Sequence, residues 1–257
     1  MKPIVLEREA EIAILTLNRP EKRNALSSEL INKLVRALSD LKNDDRLRVV
    51  IITGVVDAFC AGTDISELTN LTEHNAAQVS LRGQDLCNQI ESFPVPIIAA
   101  VNGIAAGGGC ELALACHLRI GSADARFSLP ETKLGLIPAY GGTQRLSRDI
   151  AVARALEMML SGKTIDADSA LRLGILNRVV APSELMPAAL VLARDIAALA
   201  PLAIRACLKA VTDGSRLSFE EGLELERELF ASLFATEDAK EGTTAFLEKR
   251  KPHFKGK

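Results

Sequence analysis

The sequence predicts an α/β protein in which strands alternate with helices and a purely helical segment follows. Three observations support this fold class. Short continuous apolar segments at residues 48–54 and 95–101 are typical of parallel strands that are covered on both faces. Segments of helical periodicity lie between them. After Pro182 the strand pattern stops, and the remaining segments have helical periodicity.

The first elements follow from periodicity and from the residues that begin or end helices. Residues 4–17 alternate loosely around apolar positions, which predicts a β-hairpin, and the tripeptide at 18–20 ends it. Ser27 or Ser28 then caps an amphipathic helix. The apolar face of this helix consists of leucines at helical spacing, namely Leu30, Leu34, Leu38 and Leu41.

The same order of elements repeats along the chain. We expect a helix at 76–91, a strand at 95–101, a turn at 102–109, a helix at 110–117, a strand at 119–120, a short apolar segment at 126–129 and a helix after Gly142. Repeated crossovers of this kind build a parallel layer or a spiral rather than an antiparallel sandwich.

The last part of the chain is predicted to be helical, at 183–199, 201–212, 218–234 and 237–249. Apolar residues in this part, among them Phe230 and Phe234, exceed what a lone terminal helix can hide. We therefore expect packing on the core or on another subunit. We divide the chain into a core that carries the functional site, at 1–195, and a helical oligomerisation region, at 196–257.

The composition argues against several classes of protein. The 31 Lys and Arg residues and the 33 Asp and Glu residues are mixed along the chain and leave a net charge of −2, which disfavours nucleic acid and anionic membranes as partners. Five cysteines without a CxxC pair predict neither a disulfide framework nor a structural zinc site. The charged N-terminus does not resemble a secretory signal, so we expect a cytoplasmic protein.

Common catalytic and nucleotide-binding motifs do not occur in the sequence. There is no GxGxxG, GxxxxGK[ST], HExxH or GxSxG motif, and His74, His117 and His253 lie far apart. His117 lies on an apolar helix, where a histidine is more often a hydrogen-bonded core residue than a base. Nicotinamide, ATP and histidine-triad chemistry are disfavoured, and we expect no metal and no separate cofactor.

Glu111 is unusual because of its surroundings. It is the only formally charged side chain between Glu91 and Arg119, and it follows three glycines in the first turn of a predicted helix. A carboxylate there can simply complement the helix dipole. The glycines favour a second interpretation, because they let a ligand approach the N–H groups of the helix N-terminus. A base would then lie beside a site for developing negative charge.

A second carboxylate, Glu131, follows a short apolar strand and Pro130. Alone, it is typical of an exposed loop acid. One strand and one return separate it from Glu111, so both side chains can reach the same end of the sheet. Two converging carboxylates push their pKa values apart, so that one can donate a proton while the other accepts one. The glycine turn within residues 58–65 can present another N–H group.

Six ordered motifs cover almost the whole chain: Asn18-Arg-Pro20 with Asn24-Ala-Leu26, Ala58-Phe-Cys-Ala-Gly-Thr-Asp-Ile65, Asn102-Gly-Ile-Ala-Ala-Gly-Gly-Gly-Cys-Glu-Leu112, Pro130-Glu-Thr-Lys-Leu-Gly135, Pro138-Ala-Tyr-Gly-Gly-Thr-Gln-Arg-Leu146 and Ala245-Phe-Leu-Glu-Lys-Arg250. Together they resemble the crotonase superfamily, and most closely enoyl-CoA hydratase. The resemblance implies a crotonase-like spiral of ββα units followed by a helical trimerisation region, assembled as a trimer or a dimer of trimers.

The resemblance also implies site residues. The two glutamates of a hydratase fall on Glu111 and Glu131, and the two N–H donors of the oxyanion hole fall on Thr63 and Gly108. Many hydratases have a smaller residue where this chain has Thr63, but the donor is a backbone group and is retained. The acyl-CoA substrate is implied to contact Ala25, Ala61, Thr63, Asp64, Ile65, Ser66 and Gly108, with Phe246 and Lys249 of a neighbouring subunit near the nucleotide end.

The glutamate pair implies reversible hydration of trans-2-enoyl-CoA to 3-hydroxyacyl-CoA, with Glu111 acting on the attacking water and Glu131 on the proton at C2. An enoyl-CoA isomerase is one alternative, because isomerases of the family can work with a single carboxylate near the Glu131 position. A non-catalytic acyl-CoA-binding module on the same fold is another. An RNA-binding role would need a basic patch, which the mixed charges do not indicate.

Overall fold

The computed structural model describes residues 2–69 and 71–257. Its strands are Ile4–Glu9 (β1), Ile12–Leu17 (β2), Val49–Gly54 (β3), Ala58–Cys60 (β4), Ile97–Val101 (β5), Ile104–Ala106 (β6), Leu118–Ser122 (β7), Arg126–Ser128 (β8), Ile165–Asp166 (β9) and Arg178–Val180 (β10). Its α-helices are Ser28–Lys42 (α1), Glu73–Glu91 (α2), Gly108–Ala115 (α3), Gly142–Asp149 (α4), Val152–Ser161 (α5), Ala167–Leu173 (α6), Leu185–Ala197 (α7), Pro201–Gly214 (α8), Phe219–Leu233 (α9) and Glu237–Leu247 (α10).

The strands form two sheets that the chain enters in turn. The larger sheet has the order β1-β2-β3-β5-β7-β10, and the smaller sheet has the order β4-β6-β8-β9. Neighbours pair in parallel except for β1 with β2 and β8 with β9. The chain repeatedly places one strand in the larger sheet and the next in the smaller sheet before it forms a helix. The predicted α/β spiral of ββα units is thereby confirmed.

The larger sheet is covered on both faces, which explains its continuous apolar strands. In β3, Val50 and Ile52 belong to the main core with α1, whereas Val49 and Ile51 lie in a second cluster under α7. The predicted cap of α1 is confirmed, because the Ser27 hydroxyl accepts a hydrogen bond from Leu30 N at 3.2 Å. The sequence periodicity of this part therefore reports its packing directly.

The segment from 102 to 109 differs from the prediction. It was expected to be a turn, but its centre forms β6, which pairs in parallel with both β4 and β8. The following helix also begins at Gly108 rather than at residue 110. A three-residue strand between glycines has too few positions to show a period of two, so periodicity does not detect it. The short elements β9, α6 and β10 were not predicted either.

The helices predicted after Pro182 are confirmed as α7 to α10. The predicted boundary at 195/196 lies near the end of α7, and the separate roles of the two regions stay a prediction. In the described part of the chain, no single helix is long and apolar enough to cross a membrane. Pro182–Ala197 and Pro201–Gly214 meet that requirement only as a pair, which is bent by 106° at the break between them.

Candidate active site

Three loops meet where strands of the smaller sheet end. The parallel strands β4, β6 and β8 are neighbours, so the residues that follow them lie side by side at one edge. Residues 61–66 follow β4, the glycine turn at 107–109 follows β6, and Glu131 follows β8. The fold therefore brings together the segments that carry the two predicted carboxylates and the two predicted N–H donors.

Thr63 lies in a short parallel bridge with Leu26. Leu26 N donates to Gly62 O at 2.7 Å, and Asp64 N donates to Leu26 O at 2.9 Å. The hydrogen bonds of the bridge are therefore made by the backbone groups on either side of Thr63. The N–H group of Thr63 itself consequently points to the other side, away from Leu26. Gly108 lies close to Thr63, since a Cβ atom built on Gly108 would be 3.1 Å from Thr63 Oγ1.

The glycine turn after β6 supplies a second N–H group. Gly107 has a φ of 51°, which favours glycine, and its N–H donates to Ser128 O at 2.9 Å. Its carbonyl accepts the first hydrogen bond of α3, from Glu111 N at 3.0 Å. Gly108 is the first residue of α3, and its N–H therefore has no acceptor within the helix. The N–H groups of Thr63 and Gly108 thus belong to adjoining loops.

Glu111 is buried in the first turn of α3, with 1% of its surface exposed. Its Oε1 accepts hydrogen bonds from Tyr140 N at 2.8 Å and from Gly142 N at 2.6 Å. Burial raises the pKa of Glu111 to about 7; the Gly142 N–H opposes this rise, and the negative charge of Glu131 adds to it. The carboxyl group can therefore change its protonation state near neutral pH.

Glu131 begins a short 3₁₀ helix after Pro130 and is half-buried rather than exposed. Its Oε2 atom is buried and has no hydrogen-bond partner among the described residues. Its Oε1 atom lies 2.8 Å from the position that a Cβ atom on Gly107 would occupy. Burial raises the pKa of Glu131 as well. The two glutamates thus converge on the glycine turn, and neither behaves as an ordinary surface acid.

Tyr140 packs against the glycine turn at 107–109. It is 3% exposed, and its ring lies 3.0 Å from the position of a Cβ atom on Gly108. Its hydroxyl is buried without a hydrogen-bond partner in the described residues. No role was predicted for Tyr140 or Gly142 from the sequence. The signal available was the Gly141-Gly142 pair at the start of a helix, which frees N–H groups for a ligand or a carboxylate.

The predicted substrate-contact residues near the N-terminus lie beside the site. Residues 23–26 run along residues 61–64, with Ala61 N donating to Arg23 O at 3.0 Å. Asp64 is buried, and its carboxylate pairs with Arg19 at 3.0 Å and accepts from Ser66 Oγ at 2.7 Å, which is the first cause of its lowered pKa. Asp64 therefore holds the loop together. The exposed members are Ile65 and Ser66, whereas Ala25 is buried.

The two predicted contacts from the helical region are solvent-exposed in the single chain. Phe246 is 83% exposed near the end of α10, and Lys249 follows α10 with a φ of 56°. Their place beside a neighbouring subunit's substrate stays a prediction. His117, in contrast, is half-buried and lies beyond the end of α3, so its predicted place on a core helix is wrong. It is nevertheless hydrogen-bonded, because Nδ1 accepts from Ile97 N at 2.9 Å and Nε2 lies 3.1 Å from Glu91 O. Within 2–69 and 71–257, no cluster of three potential metal-ligating side chains is found.

The sequence matches the family model described as enoyl-CoA hydratase/isomerase over residues 7–257. The chain belongs to the enoyl-CoA hydratase/isomerase family. Two relatives in this family are the short-chain-enoyl-CoA hydratase of Clostridium acetobutylicum, 41% identical over 249 residues (96% of this chain, 95% of that protein), and the crotonyl-CoA hydratase of Syntrophomonas wolfei, 40% identical over 252 residues (98% of this chain, 97% of that protein). The crystal structure of an enoyl-CoA hydratase from Bacillus anthracis is 37% identical and aligns over 100% of both chains with a TM-score of 0.96. These matches confirm the resemblance and the crotonase-like spiral.

Proposed function

We propose that this chain catalyses the reversible hydration of trans-2-enoyl-CoA thioesters to 3-hydroxyacyl-CoA. The observation that carries the proposal is the convergence of two carboxyl groups of raised pKa, one buried and one half-buried, on a glycine turn whose Gly108 N–H has no acceptor within α3. Hydration across a double bond needs a group that accepts a proton and a group that donates one. Glu111 and Glu131 supply that pair.

In hydration, ionised Glu111 removes a proton from water as the water oxygen forms a bond to C3. Protonated Glu131 gives its proton to C2. The thioester oxygen gains negative charge while C2 is enolate-like, and the N–H groups of Thr63 and Gly108 hold it there. The roles of the two glutamates reverse in dehydration, and because they interact, their protonation steps belong to the pair.

Hydration is favoured over isomerisation by the way in which Glu111 is held. An isomerase that moves one proton along the acyl chain can use Glu131 alone, and a buried second carboxylate would then only reduce stability. Here two N–H donors at 2.8 and 2.6 Å orient Glu111, and one of its oxygens remains for water. Loss of hydration with retained isomerisation in Glu111→Gln supports this assignment, whereas retained hydration contradicts it.

The acyl-CoA substrate is proposed to lie along Ala25, Ala61, Thr63, Asp64, Ile65 and Ser66, with Gly108 at the thioester. Asp64 acts in this proposal by shaping the loop, because its carboxylate is already paired. Phe246 and Lys249 of a neighbouring subunit are proposed to contact the nucleotide end. No metal and no cofactor beyond the coenzyme A of the substrate are part of the proposal.

A trimer or a dimer of trimers is proposed as the assembly. The single chain exposes 13643 Å². A compact monomer of 27.6 kDa is expected to expose about 11,000 Å². Large apolar side chains of the helical region contribute to this excess, with Phe219 76%, Phe230 63% and Phe234 68% exposed. Contact with other subunits would cover them.

The activity is tested with a series of trans-2-enoyl-CoA substrates from C4 to C16, following the loss of the conjugated enoyl absorbance. We expect turnover of at least one chain length, and the series also defines the chain-length preference. The Glu111→Gln and Glu131→Gln double variant is the matched control for non-enzymatic loss. Absence of turnover across the whole series contradicts the proposed function.

A further inference from the structure

The loop that holds Glu111 is itself held by an arginine. Tyr140 and Gly142 donate the two N–H groups that orient Glu111. Arg145, one turn into α4, donates from Nη1 to the carbonyl oxygen of Tyr140 at 3.0 Å. Gly141 has a φ of 104°, and a Cβ atom there would overlap the Arg145 guanidinium. Glycine at this position thus lets the guanidinium lie directly against the turn.

Arg145 is fixed from its other side by α2. Its Nη2 donates to Asn88 Oδ1 at 2.8 Å and pairs with Glu91 Oε2 at 3.1 Å. The Arg145 side chain is 12% exposed and that of Glu91 28%, so the charged pair is partly shielded from water. Glu91 Oε2 also pairs with Arg216, which follows α8, at 2.6 Å. A continuous set of charged contacts thus runs from the helical region to the loop at Glu111.

The same loop has a second attachment that does not involve Arg145. Ser80 Oγ and Gln84 Nε2, both on α2, donate to the carbonyl oxygen of Ala139 at 2.7 and 3.1 Å. Loss of the arginine therefore leaves the loop tethered at Ala139. It frees the Tyr140–Gly141 peptide, whose carbonyl Arg145 holds and which lies between the two peptides whose N–H groups face Glu111. The effect of removing Arg145 should appear in orientation more than in folding.

We propose that Arg145 is a positioning residue for the reaction, which keeps the Tyr140 and Gly142 N–H groups directed at Glu111, and that the Glu91–Arg216 pair ties this arrangement to the C-terminal helical region. The inference rests on the proposed function, in which Glu111 acts on water. Arg145 does not touch the substrate. Its guanidinium charge also favours the ionised form of Glu111.

Several other groups interact electrostatically with Glu111 and must be considered in a pH experiment. They are Glu131, Tyr140, Cys87 and Cys110. Burial raises the pKa of both thiols and of the Tyr140 phenol, so these three groups stay neutral near pH 7. Arg145, which stays charged, and Glu131, whose charge changes with its own protonation, are the groups that remain to influence Glu111.

The test compares Arg145→Gln with Arg148→Gln in the full-length protein. Arg148 lies on the same helix and hydrogen-bonds to Gln144, so its variant removes the same charge without touching the loop. We expect Arg145→Gln to lower kcat about 10- to 100-fold with little change in KM, since small misplacements of a reacting group have effects of this size. The acidic limb of the kcat profile should move about one unit to higher pH, because the ionised form of Glu111 loses support.

Arg145→Lys keeps the positive charge but not the planar guanidinium group. Compared with Arg145→Gln, it should return the acidic limb of the pH profile toward its wild-type position more completely than it returns kcat. Arg216→Gln should change kcat in the same direction by at most about fivefold, since its pair is partly exposed. If Arg145→Gln matches Arg148→Gln in kcat and in its pH limb, the positioning role is wrong. If Arg145→Gln does not fold, Arg145→Lys and Glu91→Gln carry the same comparison.

A second readout does not need activity. The pH dependence of unfolding, compared between chains with Glu111 and with Glu111→Gln, reports the pKa of Glu111. We expect the Arg145→Gln background to shift this difference to higher pH. An unshifted difference overturns the inference even in an active enzyme. If the wild-type chain lacks hydratase activity, the proposed function fails, and this readout still decides whether Arg145 supports Glu111.

Discussion

Glu111 has opposite effects on activity and on stability. Its pKa is about 7 in the folded protein and about 4.5 without the fold, so the folded state holds the proton more tightly between these values. The free energy of unfolding therefore decreases as pH rises through this window, and the penalty is complete above pH 7. Glu111→Gln removes this dependence. Relative to wild type, we expect the variant to gain about 3 kcal/mol between about pH 4 and about pH 8.

Urea denaturation at the two pH values measures this gain. Glu224→Gln, which changes an exposed carboxylate on α9, is the control and should follow the wild type. A constant difference between Glu111→Gln and wild type would mean that Glu111 ionises normally in the fold. Activity in the variant should fall at both pH values, which separates the stabilising effect of the substitution from its catalytic cost.

Glu131 is predicted to deliver a proton to C2, and Glu131→Gln tests that role. Its buried Oε2 has no hydrogen-bond partner among the described residues, as expected for a group that contacts a substrate atom. We expect kcat to fall about 10²- to 10⁴-fold with KM little changed, the usual size of a general acid–base contribution. Steady-state kinetics with crotonyl-CoA measure both constants. Retention of more than about a tenth of the activity would make Glu131 an ordinary loop acid.

At the scale of elements, the N-terminus of α3 depends on the absence of a side chain at Gly108. A Cβ atom there would meet the Tyr140 ring at 3.0 Å and Thr63 Oγ1 at 3.1 Å. We expect Gly108→Val to lower turnover about 10²-fold or more, because it displaces an N–H donor or blocks the thioester. Gly214→Ala is the control, since a Cβ atom there would meet only Gly222 Cα, at an ordinary contact distance of 4.0 Å. Near wild-type hydration by a well-folded Gly108→Val protein would require another oxyanion hole.

The elements also show what the sequence could and could not predict. β3 was predicted because both of its faces are covered, which makes its first four positions apolar without alternation. Glu111 was recognised because no other formal charge lies near it in the sequence. β6 was missed because three residues between glycines show no period. The contacts of Arg145 and Gly142 with the site were missed because they involve peptide groups, for which the sequence offers only an indirect signal, the Gly141-Gly142 pair at a helix start.

At the scale of the whole molecule, the helical region is predicted to form subunit contacts. Phe230 and Phe234 stack edge to face with ring centroids 5.1 Å apart, and both are largely exposed. We expect the double variant Phe230→Asp and Phe234→Asp to reduce the molar mass measured by light scattering, since buried unpaired carboxylates destabilise an apolar interface. Val56→Asp is the control, because Val56 is 77% exposed and lies outside the helical region. This variant should leave the molar mass unchanged. An unchanged mass in the double variant would place the interface elsewhere.

The contact between α2 and the Tyr140 ring has a consequence for how this sequence can vary. Gly83 is buried in the middle of α2, and the Tyr140 ring occupies the space that a Cβ atom at Gly83 would need. A glycine in a helix costs about 1 kcal/mol relative to alanine, and here that cost makes room for the aromatic ring. Gly83→Ala should be harmful with Tyr140 present and tolerated with Tyr140→Ala. Positions 83 and 140 are thus epistatic, and a library that varies the residues around the Tyr140 ring has to vary both positions together.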